Sequence, residues 1–158
     1  MNLVLERATS LTAEVHDLIG ELNDTLAAVY EPHQRHGLAL EQLFEPHIRF
    51  FLAYLEGRAV GCGGVGLFEG YAEVKRMFTR PAARGRGVAK AVLARIEDEA
   101  LRASLPVLRL ETGVHQPEAV GLYRAAGFRP CGAFGPYAAM PAAAIATSLF
   151  FEKSLRQA

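Results

Sequence analysis

Apolar residues at Leu11, Val15, Leu18, Ile19, Leu22, Leu26 and Val29 keep a helical period, so Leu11–Val29 reads as an amphipathic helix with Ser10 as its N-cap. Asn2–Ala8 before it reads as a short strand. Tyr30–Gly37, interrupted by Pro32 and Gly37, reads as a loop, and Leu38–Phe44 as a short helix stopped before Pro46. The pattern then changes to apolar-rich runs. Ile48–Leu55, Arg58–Phe68 and Tyr71–Thr79 predict three successive strands, joined only by Glu56-Gly57 and Glu69-Gly70. Turns this short imply antiparallel neighbours. Val88, Val92, Leu93, Ile96, Ala100 and Leu101 give a helix over Val88–Arg102 one apolar face. Pro106 and the strand Val107–Thr112 follow. Pro117 suits the first turn of a further helix and Gly127 its C′ position. Phe128–Ala133 and Ser148–Lys153 predict late strands. The strand–helix–strand unit from Ala72 to Thr112 requires a right-handed parallel crossover. The expected architecture is a mixed α/β sheet of roughly six or seven strands, mostly antiparallel, with about four helices.

Composition narrows the function classes. At 158 residues, half of them apolar, one domain over residues 1–158 is expected. Net charge is zero and the pI near neutral, which argues against nucleic acid as a partner. No apolar run approaches the ~20 residues of a membrane span. Met1–Arg7 lacks a signal-peptide layout, and Cys62 and Cys131 fit no metal or redox spacing, so a reduced, cytoplasmic protein is expected.

Charge is neutral overall but local in one place. Between Lys75 and Lys90 stand six cations (Lys75, Arg76, Arg80, Arg84, Arg86, Lys90) and no Asp or Glu. Within them, Arg84-Gly85-Arg86-Gly87-Val88-Ala89 joins a strand to the start of a helix. Glycines let backbone approach a ligand, and a helix start offers unpaired N–H groups and the positive end of a dipole. A phosphate-bearing anion is the implied ligand. The turn is not a Walker A loop, because Val-Ala-Lys follows Gly87, nor a dinucleotide fingerprint, because Lys90 stands at the third glycine position. Gly61-Cys62-Gly63-Gly64-Val65-Gly66 matches that fingerprint literally, but it leads into a strand end and a turn. Its glycines read as a twisted or bulged strand.

Arg84-x-x-Gly87-x-Ala89 does match Arg/Gln-x-x-Gly-x-Gly/Ala, and here the chain resembles the GNAT superfamily of acyl-CoA-dependent N-acyltransferases. Met77-Phe78-Thr79-Arg80-Pro81 is similar to that family's strand end before the pyrophosphate loop, Leu110-Glu111-Thr112-Gly113 to its fifth strand, and Ala119–Phe128 to its closing helix. The resemblance covers most of the chain, with the pieces in the family's order. It implies acetyl-CoA as cosubstrate, the pantetheine arm along Met77, Phe78 and Thr79, and the pyrophosphate on the amides of Arg84, Gly85, Arg86, Gly87, Val88 and Ala89. Tyr123 matches the family's tyrosine near the thioester sulfur. Gln116 falls where many members carry an Asn that touches the cofactor, so it is a departure.

The expected reaction is acetyl transfer to a primary amine, by direct attack in a ternary complex. An amine with a pKa near ~10.4 is mostly protonated at neutral pH, and making it neutral costs about 4–5 kcal/mol. Some group must take the proton. Glu111, at the strand position where some family members carry a base, Glu73 on the paired strand, and water are the three candidates. The structural alternative for Glu111 is an ion pair with Arg76 or Arg109. A CoA thiol at ~8.5 leaves readily, and a tyrosine at ~10 is an uphill donor to it, so Tyr123 would give the sulfur a hydrogen bond; its structural alternative is packing.

Cys62 reads as a buried structural cysteine rather than a nucleophile. His33 and His36, near Glu31, lack a third metal ligand and read as a polar rim of the acceptor pocket; no metal is expected. His115 reads as a turn residue or a substrate contact. The acceptor segment Tyr30–Phe51 offers Tyr30, His33, Arg35 and His36 in no diagnostic order. Without an acidic or basic docking stripe, a small-molecule amine is expected as partner. The run Ala138–Ala146 reads as an insertion that could reshape the acceptor mouth or the edge of a homodimer. The competing classes are a non-catalytic acyl-CoA-binding regulatory module and a nucleotide-binding protein.

Overall fold

The computed structural model describes residues 2–155 and opens with strand β1 (Leu3–Ala8) and helix α1 (Ala13–Ala27). The cap of α1 is Thr12 rather than Ser10: Thr12 Oγ1 accepts from the Val15 N–H at 3.4 Å. Leu11 and Val29 keep the helical period but fall outside the helix and are half exposed, whereas Val15, Leu18, Ile19 and Leu22 are buried. Two short 3-10 turns, Pro32–Gln34 and Leu40–Phe44, carry the connection, the second replacing the helix expected over Leu38–Phe44. Strands β2 (Ile48–Leu55), β3 (Arg58–Phe68) and β4 (Tyr71–Thr79) follow, then helix α2 (Val88–Arg102), strand β5 (Val107–Gly113), helix α3 (Pro117–Ala125), strand β6 (Arg129–Pro130), helix α4 (Ala142–Ile145) and strand β7 (Ser148–Ser154).

The strands form one seven-stranded sheet in the order β1-β2-β3-β4-β5-β7-β6. Among the described residues every neighbouring pair is antiparallel except β4 and β5. The long run Phe128–Ala133 contributes only two residues of strand. Pro130 has no N–H to extend the ladder, and beyond Cys131 the chain leaves the sheet so that Phe134 can pack on Tyr71, Tyr137 and Phe150. The expected insertion Ala138–Ala146 is ordered as the end of a 3-10 turn, Gly135–Ala139, and then α4.

Apolar faces sort the helices onto two sides. Val15, Leu18, Ile19 and Leu22 of α1 pack with Phe50, Leu52, Cys62 and Phe78. Val88, Val92, Leu93 and Ile96 of α2 pack with Val65, Ala72, Val74, Leu108 and Leu110, joined by Tyr123 and Phe128. Alternation along β4 would keep Ala72, Val74 and Phe78 on one face. They are not, because β4 carries a bulge: Lys75 pairs with Gly64 but Phe78 with Cys62, so three steps on β4 meet two on β3. Arg76 takes φ 55° at this point, a left-handed conformation rare outside glycine. The glycine-rich β3 is a continuous strand opposite this bulge and not a dinucleotide turn, and the extra residue is carried by β4 rather than by the glycines.

Candidate active site

β4 and β5 pair only through Ala72↔Leu108 and Glu73↔Arg109. Beyond that point both continue, β4 to Thr79 and β5 to Gly113, without bonding each other. The parting opens a cavity of about 650 Å³ lined by β4, β5, α3, the start of α2 and the segment after α1.

One end of the cavity is made of backbone. Gly85 and Gly87 have φ 79° and 80°, the left-handed region that strains any side-chain-bearing residue. A Cβ at either would meet no protein atom, so the space in front of them is open to a ligand. The first intrahelical bond of α2 runs from Ala91 N–H to Gly87 C=O at 3.0 Å. Among the described residues the amides of Gly85 through Lys90 have no backbone partner. Free amides at the positive end of a helix are able to hold an anion. Arg84 leans back over β4, its Nε donating to the Thr79 carbonyl at 3.3 Å. Met77, Phe78, Thr79, Arg84, Gly85, Gly87, Val88 and Ala89 line the cavity, whereas Arg86 does not.

The cationic run divides, which its sequence does not reveal. Arg80 is held by Glu21 through charge-assisted bonds from Nε (3.0 Å to Oε1, 3.1 Å to Oε2) and Nη2 (2.7 Å to Oε2), and its Nη1 donates to the Ala59 carbonyl at 2.8 Å. Lys75 pairs with Glu73, and Arg76 bonds Asn23. Only Arg84, Arg86 and Lys90 remain for the loop.

The middle of the cavity holds the carboxylates. Glu73 is nearly sealed from solvent, and its Oε2 accepts from Lys75 Nζ at 2.9 Å and from the Tyr137 hydroxyl at 2.6 Å. Tyr137 is fixed by edge contacts to Phe134, His36 and Phe150, with ring centroids 5.2–5.7 Å away. Burial and the Glu73 charge hold its hydroxyl well above the usual tyrosine range. The trio also borders a smaller cavity of about 320 Å³ toward His47 and Met140. Glu111, across the splay, pairs with neither Arg76 nor Arg109; Arg109 pairs with Glu152 at 3.3 Å. Glu111 accepts one bond, from Ser148 Oγ at 2.7 Å. Burial pushes its carboxyl up to about 7; the Ser148 bond opposes this, Glu73 adds to it and Lys75 opposes it.

Tyr123 reaches the cavity from α3. Gly127, at φ 97°, closes that helix, with Phe128 N–H returning to the Tyr123 carbonyl at 3.0 Å, so the cap itself orients the tyrosine. Its hydroxyl has no hydrogen-bond partner among the described residues. Burial, with a contribution from Glu111, raises it beyond the ordinary tyrosine value. Gln116 also lines the cavity, but its Oε1 receives the Tyr30 hydroxyl at 3.4 Å. Tyr30 in turn accepts from the His115 N–H at 2.9 Å and fills the space where a Cβ at Gly113 would stand. His115 thus serves the cavity wall by its backbone as well as its ring, which lies tilted against Tyr30 with centroids 5.3 Å apart.

His36 lines the cavity and His33 does not. Among the described residues no three His, Cys, Asp or Glu side chains are grouped to hold a metal ion. Cys62 is buried, its thiol pushed up to about 12 by desolvation, and donates to the Arg76 carbonyl at 3.4 Å, the surroundings of a structural cysteine. Sequence reasoning missed Ser148 and Tyr137 as partners of the carboxylates. Glu73-x-Lys75, an acid and a base two apart on one strand face, was the only local sign of the buried ion pair.

Comparison with known proteins agrees with this architecture. A family model described as the acetyltransferase (GNAT) family matches residues 15–128. A protein of Azospirillum brasilense named IAA acetyltransferase is 44% identical over 98% of this chain and 99% of its own length. A crystal structure of a candidate acyl-CoA N-acyltransferase from Klebsiella pneumoniae superposes with TM-score 0.81 at 31% identity, covering 98% of both chains. An acetyltransferase candidate from Salmonella typhimurium, solved with its cofactor acetyl-CoA, shares the fold at TM-score 0.72 and 16% identity, over 100% of this chain and 96% of its own.

Proposed function

Since the chain belongs to the acetyltransferase (GNAT) family of acyl-CoA-dependent enzymes, we propose that it moves an acetyl group from acetyl-CoA to the primary amine of a small molecule, by direct attack in a ternary complex. One observation carries this reading: a single cavity holds the unpaired amides of the α2 start, a desolvated carboxylate and a partner-free tyrosine hydroxyl.

The residues present suit the cofactor. The Gly85–Lys90 amides fit a pyrophosphate, and the unpaired edges of β4 beyond Glu73 fit an extended amide-bearing arm. Bound there, acetyl-CoA would supply the thioester carbon that the amine attacks. Glu111 is the proposed base. A carboxyl held near 7 is partly ionised at neutral pH and basic enough to take a proton from an ammonium. Glu73 is the weaker candidate, because its Oε2 already receives Lys75 and Tyr137. Tyr123 is proposed to hydrogen-bond the departing sulfur. Its raised pKa makes full proton transfer to a thiolate still more uphill than the ~2 kcal/mol of an ordinary tyrosine.

The test is calorimetric titration with acetyl-CoA, CoA, ATP and NAD, then an amine panel read by release of free thiol. IAA joins the panel because the Azospirillum brasilense relative bears its name. Binding of acetyl-CoA and CoA with thiol release on an amine is expected. Binding of ATP or NAD instead would overturn the cofactor. Tight acetyl-CoA binding with no thiol release on any acceptor would favour a non-catalytic acyl-CoA-binding module.

A further inference from the structure

Three buried side-chain polar atoms lack a hydrogen-bond partner among the described residues: Arg35 Nε, Arg76 Nε and Thr147 Oγ1. All three residues line the same cavity. Orphaned buried donors are uncommon in folded proteins, and each is costly unless something satisfies it. All three can donate, and no acceptor among the described residues reaches them, while the residues that carry them form part of the cavity wall.

They also converge in the fold. A Cβ at Gly37 would overlap the Arg76 guanidinium, so Arg76 lies against the segment that carries Arg35. That segment is tied across the cavity mouth by His36, whose Nε2–H donates to the Ala144 carbonyl at 2.7 Å, three residues before Thr147. Thr147 is fixed by its own carbonyl, which accepts from the Val114 N–H at 2.9 Å. Charge points the same way. Arg35 has no carboxylate partner among the described residues, and Arg76 has only the neutral Asn23. Glu73 cannot neutralise them, because Lys75 already occupies it. The cavity lining therefore combines carboxylates able to take a proton from an ammonium with two guanidiniums that no carboxylate among the described residues balances.

We propose that the acceptor amine also carries a carboxylate, and that Arg35, Arg76 and Thr147 bind it while the amine faces Glu111. This rests on the acetyltransferase reading above and narrows its acceptor to molecules of the amino-acid kind. Guanidinium is suited to the role, since its planar fork matches a carboxylate.

Two measurements test the assignment. The first compares thiol release for free amino acids with that for their carboxamides, at saturating acetyl-CoA. The second titrates N-acetylglycine and N-acetylglycinamide into the CoA-saturated protein by calorimetry, which needs no turnover. The acids should be favoured over the amides by about 10- to 100-fold in KM or Kd, the value of a charge-assisted bond. Arg35→Gln should shrink that gap at least tenfold, and Thr147→Val should shrink it less. If no acid outperforms its amide in either assay, the inference is overturned while the acetyltransferase reading stands. If Arg35→Gln weakens acetyl-CoA as much as it weakens N-acetylglycine, the orphaned donors serve the cofactor and the inference falls. If acetyl-CoA does not bind the wild-type protein, the proposed function is overturned and this inference with it.

Discussion

Two parts of the cavity wall are built by different means. The end beside α2 is made of backbone: two left-handed glycines and a run of free amides, all within Met77–Lys90. The rest of the lining is made of side chains gathered from Tyr30–Gly37, Glu73–Arg76, Glu111, Tyr137 and Thr147, which lie up to 117 residues apart (Tyr30 to Thr147). A backbone site depends on a few φ angles and tolerates little change. A side-chain site divides its work among groups that can be altered one at a time. The contrast predicts a graded series of effects.

The largest belongs to Gly87→Glu. A non-glycine residue at φ 80° costs on the order of 1–3 kcal/mol in strain, and the new carboxylate would repel the pyrophosphate proposed to sit there. Acetyl-CoA binding should fall below detection by calorimetry while circular dichroism stays native. A folded variant with wild-type affinity would show that the cofactor does not sit on this turn.

Next comes Glu111→Gln, which should slow turnover by about 10²–10⁴-fold at neutral pH. The pH profile separates a base from a binding group. Wild-type kcat/KM should level off above about pH 7, where Glu111 is ionised. The variant should keep climbing about tenfold per unit, because only rising pH supplies neutral amine. Equal loss at every pH would remove Glu111 from the base role. Stability gives a second reading. Glu111 holds its proton in the fold up to about pH 7 but in the unfolded chain only to its ordinary 4.5. The folded state therefore binds more protons across that window, and stability falls as pH rises through it. Above pH 7 the accumulated cost is up to about 3 kcal/mol, which Glu111→Gln removes while keeping an acceptor for Ser148. The variant should thus unfold at a higher temperature than wild type at pH 8, and the two should converge toward pH 4.5.

Tyr123→Phe is milder. Removing one hydroxyl that finds no protein partner leaves the core contact with Phe128 intact. Turnover should drop by about 10²-fold or less with acetyl-CoA affinity unchanged. Wild-type turnover would reduce Tyr123 to packing.

The same contrast explains what could be read from the chain. Short turns and apolar runs located β2, β3 and β4 to the residue, because hairpins are local. The Arg84–Ala89 turn was legible because the φ demands of a backbone cradle leave glycines in fixed places. Helix caps and late strands were less so. The period of Leu11–Val29 runs past the helix ends, and only Thr12, not Ser10, lies within reach of a free amide. The partners of the carboxylates were invisible. Ser148 reaches Glu111 through the β5–β7 register, and Tyr137 reaches Glu73 through an aromatic cluster assembled from three separate segments. The even-looking cationic run misled for the same reason: Glu21, which takes Arg80 out of it, lies 59 residues away.

The smallest effect is expected at Glu73, and it decides between the two carboxylates. If Glu111 is the base, Glu73 acts on it through charge. Glu73 raises the Glu111 carboxyl and Lys75 lowers it. Glu73→Gln removes the first influence and leaves the second unopposed. The acid limb of the kcat/KM profile should therefore move below pH 7, with turnover at pH 8 reduced less than about tenfold. Loss of a buried partner for Lys75 and Tyr137 should lower stability by about 1–3 kcal/mol, so the profile is taken well below the variant's melting temperature. If Glu73 were the base, the opposite pattern would appear: turnover would fall by orders of magnitude and climb with pH, as predicted for Glu111→Gln. A limb that stays near pH 7 with normal turnover would mean that the two carboxylates do not sense each other, and the acceptor end would then be less tightly coupled than its geometry implies.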